Sequence, residues 1–311
     1  MKKANIILLG STDLTYSIAK KLKNIVNIVG LCSTNSKFKI SYAKNFMLNA
    51  RYVEMEKFAK HIGVSHHIYS DIDSLYKFTE LVNPDILIAA GWHHYLNQAF
   101  LNKIKIPSLG IHASLLPKFR GAAPLNWAIL SNEKKTGVSM FFLDKGIDSG
   151  EIVDQKEFEI LETDYIEDLV IKTEIASIEI LVSFFQKQKI SNIKTIKQTG
   201  KPTYSLTRFP ENGLINWENT NSSILRLIRA TSKPYPGAFT FKNKKKIIIW
   251  AAQTEENTEV FGSIGQICYN TNLKRIIVVC EKGLIQITNA TYENGNDAIQ
   301  DLKKLNNQFF D

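Results

Sequence analysis

Short apolar runs alternate with amphipathic stretches through the first half of the chain. "NIILLG" (5–10) predicts a buried strand, and an amphipathic helix capped by Asp13 follows through Leu22. "IVNIVGLC" (25–32) predicts a second strand. A helix over 54–62, a short strand over 67–69, a helix over 71–82, a strand over 85–91 and a helix over 96–104 continue the alternation. "SLGIH" (108–112) is the next strand. A helix over 123–130, two extended runs ("TGVSMFFLD" and "EIVDQKEFEI") and a long helix over about 163–187 follow. Alternation of this kind implies an α/β fold: a mostly parallel, Rossmann-like sheet with helices on both faces. Such sheets bind ligands outside the carboxyl ends of their strands.

From about Ser205 the pattern changes. After "RFPENGLINW" and a helix over 222–231, short β-rich runs separated by turns lead to a final helix over 297–306. They are "PYPGAFTF", "KKIIIWAAQT", "GSIGQICYN", "KRIIVVCEKG" and "LIQITNATYE". Short strands at this spacing predict a small, OB-like C-terminal β-barrel. The expected division is 1–204 and 205–311.

A chain of 311 residues can bury two cores. Its 44% apolar and 22% charged residues are ordinary for a folded protein. The formal net charge of +9 suits anionic partners such as nucleotides, RNA or lipid headgroups, or else reflects a chain that is Lys-rich throughout. The basic cluster from Arg226 to Lys246 reads as a solvated barrel surface. The stretch 37–51, "KFKISYAKNFMLNAR", reads as a loop beside the ligand edge, either solvated or clamping an anionic acceptor. Cys32, Cys268 and Cys280 are far apart and form no CxxC, so no structural zinc or other metal site is expected. The first apolar run is too short for a signal peptide, and no run nears the roughly 18 residues of a membrane span. The expected compartment is the cytoplasm. "GSTDLT" lacks the later glycines of a dinucleotide loop, and no Walker-type loop is present.

Candidate chemistry gathers at two places. His112 ends the strand 108–112, and Gly110, two residues earlier, shares its face but brings no side chain. "FFLDKGIDSGEI" (141–152) sets Asp144 and Asp148 around a glycine turn. If these strands are neighbours, one carboxylate lies beside His112. A carboxylate fixes an imidazole's tautomer and raises its basicity, which suits removal of a proton from an attacking amine. Taken singly, a strand-end histidine and an Asp/Gly surface turn each have a structural reading as well.

Together, "GIHASLLPKFRGAAPLNWAI" and "TGVSMFFLDKGIDSGEI" resemble the folate-dependent formyltransferases, the family of methionyl-tRNA and sugar N-formyltransferases. The resemblance covers about 1–200 and continues into "PENGLINW" and "IRATSKPYPGAF". It implies an enzyme that transfers a formyl group from N10-formyltetrahydrofolate to a neutral amine through a tetrahedral oxyanion. It implies that His112 bonds the oxyanion or assists proton transfer. It implies too that Asp148 orients the histidine and relays the proton, and that Asp144 shapes the loop. The pterin is expected against 91–96 and 145–148, with Trp92, His93, Leu96, Lys145, Gly146, Ile147 and Asp148 as binding residues. Ser11, Ser114, Lys118 and Arg120 are the expected acceptor-binding residues.

The family's usual asparagine two residues before the histidine is Gly110 here. Loss of one oxyanion donor typically costs about 2.7–4 kcal/mol in barrier. Three readings stay open: another donor substitutes (a backbone N–H, a water, His93, Ser114 or Asn126), the enzyme is slow, or catalysis is lost. A nucleotide-linked amino sugar is the favoured acceptor, because 37–51 has no Pro or Gly and "RATSKPYPGAF" lies closer to the sugar-modifying relatives. Methionyl-tRNA is the alternative, suited by the charge and a basic barrel. A catalytically degenerate folate- or nucleotide-binding protein is the third reading. The oligomeric state is left open, a homodimer being one of the assemblies admitted.

Overall fold

The computed structural model describes residues 3–38, 46–187, 190–256, 259–272 and 274–311. Seven strands form the main sheet: β1 (Asn5–Leu9), β2 (Asn27–Ser33), β3 (Ser65–Ile68), β4 (Ile86–Ala90), β5 (Ser108–His112), β6 (Lys135–Phe142) and β7 (Ile152–Glu159). Their spatial order is β7-β6-β5-β4-β1-β2-β3. The first five pair in parallel, while β5–β6 and β6–β7 are antiparallel. The mostly parallel Rossmann-like sheet is therefore present, with an antiparallel end.

Both faces of the central strands are buried, which is why they read as unbroken apolar runs. Ile6, Leu8, Ile86 and Ile88 face α1 (Asp13–Leu22), α2 (Met55–Ile62) and the later part of α6 (Ile166–Lys187), the long helix that comes after α5 (Pro124–Leu130) in the chain. Ile7, Leu9, Leu87 and Ala89 face α3 (Ile72–Val82) and α4 (Gln98–Ile104). Helix α1 is capped by Thr12, not by Asp13 as the sequence suggested. The Thr12 and Thr15 side chains form a capping box, and Asp13, the first helical residue, pairs with Arg51. The basic stretch 37–51 thus ends on a fixed guanidinium. Its residues 39–45 lie outside the described residues.

The chain order reverses between β1 and β4, the place where open α/β sheets usually hold ligands. Here that place is filled by the protein. Thr15 Oγ1 donates to Ala90 O at 2.6 Å, and a Cβ at Gly10 would collide with both of those groups.

Two compact units emerge. The first comprises Met1–Pro124, Lys135–Glu159 and Ile171–Ser205; the second comprises Leu125–Lys134, Ile160–Val170 and Leu206–Asp311. In the second, Ala238–Lys242, Lys245–Glu255, Ile267–Asn270, Arg275–Val279 and Leu284–Tyr292 form an antiparallel sheet. Its first and third segments are the edges, and the tail 307–311 runs between them. Ile267 N donates to Gln308 O on one side, and Asp311 N donates to Phe241 O on the other. The sheet closes in this way into a small barrel around Ile228, Ile249, Ile285 and Phe310.

By sequence, the first unit carries 25 Lys and Arg against 15 Asp and Glu, and the second carries 14 against 15. The positive excess therefore belongs to the first unit. Residues 206–311 alone carry 13 against 10, and the acids Glu133, Glu162, Asp164, Glu167 and Asp168 in the unit's other two segments remove that excess.

Candidate active site

Antiparallel pairing of β5 with β6 sets Gly110 opposite Phe141 and His112 opposite Ser139. The chain then turns from β6 into 144–150, which brings Asp148 back to the end of β5. His112 Nδ1 lies 3.5 Å from Asp148 Oδ2. His112 Nε2 lies 2.8 Å from the carbonyl oxygen of Phe119. A carbonyl only accepts, so Nε2 carries the hydrogen and donates it. In the neutral ring, Nδ1 is then a lone pair facing a carboxylate. A proton placed between those two atoms would satisfy both, so the geometry holds a proton-accepting position ready.

The Phe119 carbonyl, which no side-chain motif announces, therefore sets the tautomer of the neutral ring and leaves Nδ1 to Asp148. Asp148 is itself held: its Oδ2 accepts from Gly121 N at 2.7 Å, and its backbone is left-handed at φ +49°. Asp144 shapes the loop, its carboxylate accepting from Gly146 N at 3.0 Å and Ser149 Oγ at 2.7 Å.

The stretches expected against the pterin, 91–96 and 145–148, are joined directly. Tyr95 OH donates to Lys145 O at 2.7 Å. Leu96 is buried with Trp92 in the cluster on the α3/α4 face, whereas Lys145 and Ile147 are exposed. Trp92 packs edge-on to Tyr69, and Tyr69 also meets His94. The Trp92 indole N–H is buried without a partner among the described residues. His93 keeps surface open to solvent while stacking on Phe38 at 4.9 Å. The protein around it, then His94 and Arg51, push its imidazole below the usual range, although solvent access tempers that shift. Burial likewise lowers His94. Both shifts favour the neutral ring.

The residues expected to bind the acceptor are differently placed. Ser11 and Ser114 are fully buried, and each is already bonded. Ser11 Oγ lies 2.7 Å from Thr34 Oγ1, and Ser114 Oγ donates to Lys118 O at 2.6 Å. Neither hydroxyl offers itself to a ligand. Lys118 is exposed. Arg120 is turned inward, its Nε and Nη2 donating to Gln198 Oε1 at 3.1 and 2.6 Å. Residues Arg120–Gly121 pair in parallel with Tyr204–Ser205.

The missing asparagine leaves no hole. A Cβ at Gly110 would lie 2.6 and 2.8 Å from the Phe141 ring and 2.9 Å from Leu143. Two of the side chains considered as substitute donors are engaged: Ser114 as above, and Asn126, whose amide donates to Ala230 O at 2.7 Å. Sequence reasoning missed Phe119, Tyr95 and Gln198. The Gln198 position follows the strand–helix region and belongs to no motif.

The family models fit the same two parts of the chain. One, described as formyl transferase, matches residues 1–184; the other, its C-terminal domain, matches 208–304. The bifunctional polymyxin resistance protein ArnA of Wigglesworthia glossinidia brevipalpis is 36% identical over 219 residues, which are 69% of this chain but 32% of that one. A methionyl-tRNA formyltransferase of Thermodesulfovibrio yellowstonii is 33% identical over 215 residues, 69% of this chain and 68% of that one. In fold, the chain resembles an N-formyltransferase from Helicobacter canadensis, solved with folinic acid and dTDP-3-aminofucose. The TM-score is 0.66 at 21% identity, covering 94% of this chain and 100% of that one. With the strand-end histidine, the Asp144–Asp148 turn and both family matches in register, the chain belongs to the formyl transferase family.

Proposed function

We propose that this protein moves a formyl group from N10-formyltetrahydrofolate to the primary amine of a nucleotide-linked amino sugar. The observation that carries the reading is the His112–Asp148 pair, with Nε2 tied to Phe119 and Nδ1 left to take a proton. The donor, when bound, supplies the activated formyl carbon. The residues of 91–96 and 145–148 fit it: Ile147 offers exposed apolar surface, and the buried Trp92 N–H awaits an acceptor. A buried donor left unpaired costs about 1–3 kcal/mol, which a ligand oxygen or nitrogen would recover. His112 accepts the amine's proton at Nδ1, and Asp148 stabilises the resulting imidazolium across 3.5 Å.

The charge distribution supports a small anionic acceptor. Ten surplus positive charges lie on the unit that holds His112, and a diphosphate needs only a few contacts. Binding of a tRNA draws on many phosphate contacts, and the second unit brings no positive excess to it. The match to methionyl-tRNA formyltransferases keeps that acceptor as the second reading. The test is release of tetrahydrofolate from the formyl donor, with methionyl-tRNA and a panel of nucleotide-linked 3- and 4-amino sugars run in parallel. Turnover with a sugar is expected. Turnover with methionyl-tRNA alone would replace the acceptor, and folate binding without any turnover would favour the degenerate reading.

A further inference from the structure

After α6 the chain runs back over the site as a strap, residues 190–205, which falls between the two matched family regions. Ile196 and Ile152 exchange two backbone hydrogen bonds of 2.8 Å, fixing the strap beside β7. Two residues on, the Gln198 carboxamide reaches the loop that carries Asp148. Its Nε2 donates to Asp148 O at 2.9 Å and to Gly150 O at 2.8 Å, while its Oε1 accepts twice from Arg120. Carbonyls only accept and a guanidinium only donates, so the amide can sit only this way round, and its whole capacity is used.

The same strap holds the other half of the site. Phe119 N donates to Thr203 Oγ1 at 2.8 Å, Arg120 N to Thr203 O at 2.9 Å, and Thr203 N to Pro117 O at 3.1 Å. Phe119 supplies the carbonyl for His112 Nε2, and Gly121 supplies the N–H for Asp148. Both partners of the proton-accepting pair therefore hang from one segment, and Gln198 is where the two loops meet. Asp148 needs such a hold. Its left-handed backbone would suit glycine, yet the chemistry requires a carboxylate there.

We propose that Gln198 is a positioning residue for formyl transfer, clamping the 144–150 loop so that the Asp148 carboxylate faces His112 Nδ1. This inference rests on the formyl-transfer reading of that pair. Gln198→Ala removes every bond of the clamp. Gln198→Glu keeps an acceptor for Arg120 but loses both donors to the loop.

The test combines hydrogen exchange with steady-state kinetics. Exchange in 144–150 should rise in both variants, with the rest of the first unit unchanged. In both, kcat should fall about ten- to a hundredfold, the cost of misplacing a reacting group, with the acceptor KM within about twofold of the parent's. Unchanged exchange in 144–150 would overturn the proposal. So would a rise spread over the whole first unit, or a Gln198→Glu variant with parental kcat. The exchange arm needs no acceptor. A parent chain that turns over nothing would count against the functional reading, while exchange would still decide the clamp.

Discussion

Two places on the same sheet edge differ in how completely the protein satisfies their polar groups. At the end of β1, Thr12, Thr15 and the Ala90 carbonyl satisfy one another, and Ser11 is bonded to Thr34. Every hydroxyl there has a partner inside the protein. At the end of β5 the packing is as tight, with Phe141 and Leu143 against Gly110, but the polar groups do not close on themselves. His112 Nδ1 and Asp148 Oδ2 face each other with no proton between them in the neutral ring. Each place has a glycine under close contact. The difference is whether the donors and acceptors balance.

Removing the unbalanced group should have the largest effect. His112→Ala is expected to lower kcat by about 10²–10⁴-fold, the usual contribution of a general base, and to leave the fold intact. Circular dichroism and a melting curve beside the kinetics would check it. An unfolded variant would make His112 a packing residue and erase the contrast.

A smaller effect sharpens it. Gly110→Asn restores the family's side chain but drives it into Phe141 and Leu143, so it should destabilise the protein by about 1–3 kcal/mol in denaturant. Adding Phe141→Leu should relieve part of that clash, so that the double variant is more stable than the sum of the singles. A stable, faster Gly110→Asn single variant would show instead that the place is open.

The smallest effect on turnover belongs to the closed crevice. Thr15→Val deletes a buried donor to Ala90 O and should cost about 1–3 kcal/mol of stability while kcat stays at the parent value. A kcat loss comparable with that of His112→Ala would mean the two places are one site.

The central strands β1, β2 and β4 were legible because burial on both faces leaves unbroken apolar runs, and the helices because their apolar spacing is local. His112, Asp144 and Asp148 were legible as a motif. What stayed hidden is tertiary. A serine looks alike in sequence whether it faces a ligand, as expected of Ser11 and Ser114, or a buried carbonyl or hydroxyl, as found. Arg120 was expected to point to an acceptor, and only the fold brings Gln198 to it. The Phe119 carbonyl carries no side-chain signature at all. The tail 307–311 closes the barrel through backbone bonds that no residue pattern encodes. The charge of the barrel unit was hidden because five of its acids, Glu133, Glu162, Asp164, Glu167 and Asp168, lie in segments that only the fold assigns to it.

The interleaving of the two units bears on modularity. Leu125–Lys134 and Ile160–Val170 leave the first half of the chain to pack with the barrel unit, where Asn126 bonds Ala230 O and Arg229 bonds the carbonyls of Leu161 and Asp164. A recombination event or an engineered cut near residue 205 would carry away most of the barrel and strand two of its pieces. Lineages that trade this barrel for another must therefore exchange three segments together, or rewrite the two left behind.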